Sequence, residues 1–471
     1  MNRLRLFLEN FFVYGLGGII SKAVPLIMIP IVTRIMPSSK YFGISDLANT
    51  LVSLASAFAI LGMYDAMYRL FFEKEDIIYK KKICSTTLAF TIALSLITSL
   101  IMFALRDVIA AFFFNDSKLA YVIYITAIAT FVGATNGIVA APTRMQNKRA
   151  VFLVMNSLSP IIAYSISLFL LLKGYYIIAL PLGTLISGIC SELIFFILNY
   201  QWFSFKYVEL KSLKELLWIA IPLFPNFIIY WIFNSSDRVM ITNMLGVAEA
   251  GLYAVGSKLG AVSQLIYLAF AGGWQYFSFS TMRANDQVQV NSLIFEYLGI
   301  ISFLCTFFIC LFAKPLYQLL FTMEYTASFI IAPYLFLAPL LQMLFQIGSN
   351  QFLIVKKTWP NFFILCSGAI INVVLNYYLI PYLGIEGAAI ATLTGYIIAD
   401  VICVIVLSKM RLMQLSKRFF LVILLSIGYF ILWRTYFIES FFINFFTNVI
   451  YVSVLIKIYY RPILRIVKSR G

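Results

Sequence analysis

The sequence predicts an all-α polytopic membrane protein of about 14 transmembrane helices, read at about twenty apolar residues per span. The helices are expected as two pseudo-symmetric six-helix lobes with an extra C-terminal helix pair. Three observations predict this. The chain of 471 residues is 62% hydrophobic and only 11% charged, with mean hydropathy +0.95. Apolar runs long enough to cross a bilayer recur from end to end. Basic residues gather in alternate short loops, as the positive-inside rule requires.

In chain order, the first six spans are expected at 11–36, 42–66, 83–105, 119–142, 150–172 and 175–199. The next six are expected at 216–241, 251–277, 293–313, 327–354, 361–380 and 385–407. A last pair is expected at 418–436 and 440–460. With the N-terminus inside, the inner loops and tails hold 24 of the 35 basic residues, among them Lys80, Lys148, Lys211 and Lys356. Inverting the chain would reverse that bias, so both termini are expected in the cytoplasm of a bacterial inner membrane. The first span lacks a small-residue cleavage site and reads as a retained helix.

A constant offset of 208 residues relates the two halves. It places Met36 on Met244, Gly43 on Gly251, Lys148 on Lys356, and Thr184-Leu185 on Thr392-Leu393. One offset held over so long a stretch indicates a parallel repeat. The expected organisation is therefore an N-terminal lobe at 1–206, a C-terminal lobe at 207–408, and the added helix pair with its tail at 409–471. Prolines fall in both lobe-opening helices, Pro25 and Pro30 in one, Pro222 and Pro225 in the other, and are expected as breaks and bending points.

What is missing narrows the chemistry. The chain has no histidine, which excludes His-based proton relays, His metal sites and Ser-His catalysis. The six cysteines lie in or at the ends of spans without metal-type spacing and read as small packing residues. No phosphate-binding loop of the ATPase type occurs, and no outer loop carries the paired carboxylates of a glycosyl-transfer site. A transporter without catalytic residues, metal or cofactor is expected. The net charge of +16 reports topology and not nucleic-acid binding.

The candidate site comes from polar residues inside the spans, where charge is costly and marks function. Asn226, Tyr230, Asn234 and Asp237 share one face of span seven, followed by Arg238. Asp46, Asn49, Thr50, Ser53 and Ser56 do the same in span two. Tyr253, Ser257, Gln264 and Tyr267 do so in span eight, with Lys258 beside them. Span one carries Tyr14, Ser21 and Lys22, and Arg34 near its outer end. Lys22, Arg34, Arg238 and Lys258 against Asp46 and Asp237 give a cationic vestibule, which attracts an anionic head group. Substrate binding is thus expected from Lys22, Arg34, Asn226, Tyr230, Asn234, Arg238 and Lys258. Asp46, Asp237 and Asp400 are candidates for ion coupling. The competing readings are helix-packing glue for the hydroxyl residues and interfacial snorkelling for Arg34 and Arg238. Asp65 and Glu192 sit near inner span ends and are expected to be solvated.

Two stretches resemble a known family. One is I-P-L-F-P-N running to N-S-S-D-R-V-M-I and L-G-V-A-E-A-G-L-Y-A-V-G-S-K-L. The other is G-G-I-I-S-K-A-V-P-L-I-M-I-P-I-V-T-R-I-M-P-S-S-K-Y-F-G. Both are similar to the polysaccharide and O-antigen (Wzx-type) flippases of the multidrug/oligosaccharidyl-lipid/polysaccharide exporter superfamily. The resemblance implies a V-shaped pair of lobes around a central cavity. It also implies an undecaprenyl-pyrophosphate-linked oligosaccharide substrate, turned from the inner to the outer leaflet while its tail stays in the bilayer. Expected partners are that lipid-linked oligosaccharide, membrane lipids, and the polymerase and chain-length proteins of the same route. The competing functions are a multidrug cation antiporter of the same superfamily, against which Lys22 in span one argues, and a membrane glycan polymerase or ligase, against which the short outer loops argue.

Overall fold

The computed structural model describes residues 23–282, 284–357 and 359–468. Among them there are helices and turns but no strand. In lipid, backbone groups find partners within a helix and not in solvent, so an apolar chain of this composition becomes a helical bundle. Twelve of the helices are long and apolar enough to cross a membrane. Two more of the fourteen expected positions hold α1, the short apolar helix Ala23–Ile35, and α10 (Val247–Ser280). Residues 11–22 of the first expected span lie outside the described residues.

The chain forms two compact units: Met1–Val255 with Ala369–Ala391, and Gly256–Gly368 with Thr392–Gly471. The first unit contains α2 (Ser39–Ile60), α3 (Met63–Phe71), α4 (Ile77–Ala104), α5 (Arg106–Phe114), α6 (Ala120–Met145), α7 (Arg149–Leu172), α8 (Ala179–Asn199) and α9 (Leu210–Leu245). It also holds α10 as far as Val255.

Local chemistry sets these helix ends. Ser38 accepts from the Lys40 N–H at 3.3 Å and starts α2, and Asp76 accepts from the Ile78 and Tyr79 N–H groups and starts α4. Such caps satisfy donors that a helix leaves bare. Between α2 and α3 the chain turns through Leu61 and Gly62, both at positive φ. A Cβ on Gly62 would lie 2.7 Å from the Ala220 carbonyl oxygen, so only glycine lets this turn meet α9.

α6 forms the centre of the first unit and packs on α2, α4 and α8. Its contacts are small and polar, as expected where lipid removes the hydrophobic drive between helices. Ser99 donates to the Ala127 carbonyl at 2.9 Å. Asn199 donates to the Val139 carbonyl and to Thr143 Oγ1, at 2.9 and 2.8 Å. α9 then lies against α2, α3, α4 and α5. It was expected to break at Pro222 and Pro225, but its 36 residues continue through both. A membrane helix tolerates proline because neighbours satisfy the freed carbonyls. Its length, ~54 Å at 1.5 Å per residue, exceeds a hydrocarbon thickness of ~30 Å, so its first turns carry Lys211, Lys214 and Glu215 beyond the apolar window.

Two glycines 208 positions apart in sequence meet within this unit. A Cβ on Gly43 would fall 2.2 Å from the Val247 carbonyl oxygen, and one on Gly251 would fall 2.1 Å from that of Ser39. The backbones of α2 and α10 therefore touch at two glycines that are equivalents under the 208-residue offset.

The second unit contains the rest of α10, α11 (Gln287–Leu320), α12 (Met323–Thr326), α13 (Ala332–Ile354), α15 (Ile385–Lys409), α16 (Lys417–Leu432) and α17 (Phe441–Lys468). α14 (Trp359–Leu383) and the start of α15 are divided between the two units. α11 packs along α13 and α17, while Gly256 and Gly260 fit against Ile331 and Leu335. The added pair α16–α17 is bound to α11 by buried polar groups. Glu296 accepts from the Ser416 N–H, from Ser416 Oγ at 2.8 Å and from the Tyr459 hydroxyl at 3.2 Å. Trp433 Nε1 and Asn444 Nδ2 both donate to the Cys310 carbonyl, at 3.2 and 3.0 Å.

Candidate functional site

The expected site residues do not all share one environment. Lys22, Tyr14 and Ser21 lie outside the described residues. Arg34, Asp46, Asn226, Tyr230, Asn234, Asp237 and Arg238 belong to the first unit, while Lys258 and Asp400 belong to the second.

In the first unit, the face of α9 that the sequence marks is only partly open. Asn226 is half-buried, and Tyr230 and Asn234 are exposed. Asn234 directs its amide to the Tyr230 carbonyl at 2.7 Å. One turn further, Asp237 is buried with 3% exposure. Arg238 reaches across to α2, where Nε donates to Asp46 Oδ2 at 2.7 Å. A guanidinium nitrogen lies 3.4 Å from Asp237 Oδ1, and the same group donates to the Asn234 carbonyl. Tyr253 on α10 donates its hydroxyl to Asp237 Oδ2. The guanidinium also sits 5.8 Å from the Tyr253 ring centroid.

Two expectations therefore merge into one cluster. Arg238 was expected as a substrate cation, and Asp46 and Asp237 as separate ion-coupling groups; the fold binds all three together. The side chains of Arg238, Asp46 and Asp237 are only 18%, 11% and 4% exposed. Buried charges of this kind persist only when paired and hydrogen-bonded, and removing one member is costly. Arginine suits the position because its planar fork serves several acceptors at once. Arg34 is exposed on α1.

Trp231 was not anticipated. Its indole N–H donates to the Thr50 carbonyl and Ser53 Oγ at 3.2 and 3.1 Å, joining α9 to α2 two turns from the ion pair. The polar face of α2 carried the signal, since Ser53 needs a donor or acceptor that lipid does not offer.

In the second unit, Lys258 is half-buried on α10. Asp400 is buried on α15 at 8% exposure, and neither carboxylate oxygen has a hydrogen-bond partner among the described residues. Cys403, one turn on, packs against α13 where Gly348 leaves room; a Cβ there would sit 2.5 Å from the sulfur. Glu296 and the amide pair Gln287–Gln351, joined at 2.9 Å, were also unanticipated. Both lie within turns of a span end, where sequence alone does not separate a buried group from a solvated one.

The described residues form a multi-span helical bundle with paired charge buried inside it, the build of a polytopic membrane protein. Residues 31–330 match the family model described as polysaccharide biosynthesis protein, and the chain belongs to that family. Solved structures agree on the fold. It is similar to the lipid II flippase MurJ in an inward closed conformation, with TM-score 0.73 and 17% identity over 98% of this chain and 99% of that one. A multidrug resistance MATE family transporter of the MOP superfamily, inward-facing, gives TM-score 0.63 and 14% identity over 84% and 98%. A mutant form of the Vibrio cholerae MATE transporter VcmN gives 0.56 and 13% over 87% and 98%. No curated protein matches the sequence.

Proposed function

We propose that this protein flips an undecaprenyl-pyrophosphate-linked oligosaccharide repeat unit from the cytoplasmic to the outer leaflet of the bacterial inner membrane, for synthesis of a surface polysaccharide such as O-antigen. The observation that carries the reading is the match of residues 31–330 to the polysaccharide biosynthesis family in a chain folded like a lipid II flippase. A diphosphate that loses water on its way across needs cationic partners. Lys22 and Lys258, with Arg34, supply further positive charge along the path. Lysine suits a relay because a point charge on a flexible stem can pass a ligand on. The 1–206 and 207–408 lobes alternate access by rocking, with both termini cytoplasmic. Asp400 serves as the coupling carboxylate, since it is buried in α15 with no hydrogen-bond partner among the described residues. Polymerase and chain-length proteins receive the product.

The test is reconstitution. Purified protein in proteoliposomes is expected to move a fluorescent lipid-linked oligosaccharide between leaflets. The Lys22→Gln, Lys258→Gln double variant is expected to move it about tenfold more slowly, the equivalent of ~1.4 kcal/mol, at normal abundance. Efflux of a cationic dye without movement of the lipid-linked sugar would replace this reading with the multidrug antiporter.

A further inference from the structure

Away from the ion cluster, the first unit holds an apolar groove of about 550 Å³ between α2, α4 and α5. Its volume lies within the ~300–1,000 Å³ usual for ligand sites. Leu51 and Phe58 line it from α2, Leu61 from the turn that ends α2, Leu94 and Ile101 from α4, and Ile109 from α5. The one hydroxyl on its wall, Thr98, donates to the Leu94 carbonyl at 2.9 Å. The groove therefore offers a ligand no hydrogen bond.

The groove follows from how α4 divides its faces. Thr91, Ser95 and Ser99 form a buried small-residue stripe, and Ser99 bonds α6. That close packing turns Ile97 and Ile101 outward, where they are 53% and 52% exposed. Phe58 stands across from them and is braced by Phe224 of α9, with ring centroids 5.2 Å apart. From Leu51 to Leu61 the wall of α2 is ~15 Å long at 1.5 Å per residue. That is about half of a ~30 Å hydrocarbon core, the reach of one leaflet.

Charge marks one end. Arg106 opens α5 one turn before the groove residue Ile109. Its side chain is 41% exposed; it donates to the Phe103 carbonyl at 3.3 Å, lies 5.7 Å from the Tyr124 ring centroid, and has the exposed Asp107 carboxylate 3.8 Å away. A hydrocarbon chain ending in phosphate matches a dry slot with a partly exposed cation at its end.

We propose that this groove holds the polyprenyl chain of the lipid-linked substrate, with Arg106 beside its phosphate. The proposal rests on the flippase reading above. In the orientation proposed there, Arg106 faces the outer leaflet, so the groove holds the tail of the delivered product. Methyl branches make an isoprenoid chain bulkier than a straight acyl chain, and Ala55 and Thr98 leave width between the Phe58 and Ile101 walls.

The test uses the full chain in phosphatidylcholine nanodiscs with a diazirine-bearing undecaprenyl phosphate. Cross-links are expected in segments 51–61 and 90–102, and excess unlabelled undecaprenyl phosphate is expected to suppress them while equal phosphatidylglycerol does not. Thr98→Trp, which fills the slot, is expected to cut labelling about fivefold, ~1 kcal/mol of affinity, with unchanged melting. Arg106→Gln is expected to weaken competition by the phosphate. Even labelling of all lipid-facing helices, or equal competition by phosphatidylglycerol, would overturn the proposal, and neither result depends on how the variants fold. Transport of lipid-linked oligosaccharide by the unaltered protein is measured in parallel. Transport without groove labelling removes this site and leaves the flippase reading standing; absence of transport removes that reading.

Discussion

The aspartates that the two units bury are held in opposite ways. In the first, Asp46 and Asp237 are held by Arg238, and Tyr253 adds a hydroxyl to Asp237. In the second, Asp400 is as deeply buried but has no hydrogen-bond partner among the described residues. A paired cluster is a rigid tie between helices, because breaking it leaves charge uncompensated. A bare carboxylate in a dry bundle is a stored cost, relieved only when water or a cation arrives. One arrangement holds a conformation and the other suits a change of conformation.

Breaking the first cluster gives the largest expected effect. Arg238→Met leaves two buried carboxylates without their guanidinium and is expected to cost ~3–5 kcal/mol, read as a large drop in melting temperature in detergent. Adding Asp46→Asn and Asp237→Asn to it is expected to recover much of the loss. An unchanged melting temperature for Arg238→Met alone would show that the cluster is not a structural tie.

The glycine contact that sets α2 against α10 comes next. Gly43→Ala and Gly251→Ala each drive a methyl group into a facing backbone and are expected to cost about 1–3 kcal/mol. Gly137, which faces open space, provides the control, and Gly137→Ala is expected to be neutral or slightly stabilising. Equal behaviour of all three variants would remove the case for a close approach between repeat equivalents.

For Asp400 the effect shrinks. Asp400→Asn exchanges one buried polar group for another without orphaning a partner and is expected to change stability by no more than about 1 kcal/mol. Transport is expected to lose its dependence on an ion gradient. A destabilisation as deep as that of Arg238→Met would mean the two carboxylates are alike after all.

The smallest effect lies outside the spans and sets the scale for a solvated pair. Glu209, just before α9, accepts from Lys82 at 3.2 Å and from Ser212 at 3.0 Å. The hydrogen bond from Lys82, then that from Ser212, holds its carboxyl below the usual value of 4.5. A lowered pKa adds stability above the unfolded value that fades as pH falls through the folded one. Glu209→Gln is therefore expected to lower melting slightly at neutral pH and to match the unaltered protein in acid below that range. Salt is expected to shrink the difference. A gap that widens on acidification would contradict the assignment.

Much of this architecture was legible because bilayer thickness and helix period are local rules. A run of apolar residues tells where a span lies, and the recurrence of Asn226, Tyr230, Asn234 and Asp237 tells that α9 has a polar face. Where the reading met longer helices, such as the 34 residues of α11, the reason is also local. Polar first turns leave the hydrocarbon but continue the hydrogen-bond ladder, so hydropathy marks the span and not the helix. Proline misled in the same manner, because α9 keeps its course through Pro222 and Pro225.

By itself, the sequence determined the membrane class, the placement of spans and the presence of charge within the bilayer. Only the tertiary structure decided which charges meet. Arg238 finds Asp46 across 192 positions of sequence, Trp231 finds Ser53, Gly43 meets Gly251, and Asp400 has no hydrogen-bond partner among the described residues. Periodicity fixes the face on which a residue stands. Its partner is fixed by which helix packs there and how closely, and in this fold that depends on small residues whose effect appears only when two backbones touch.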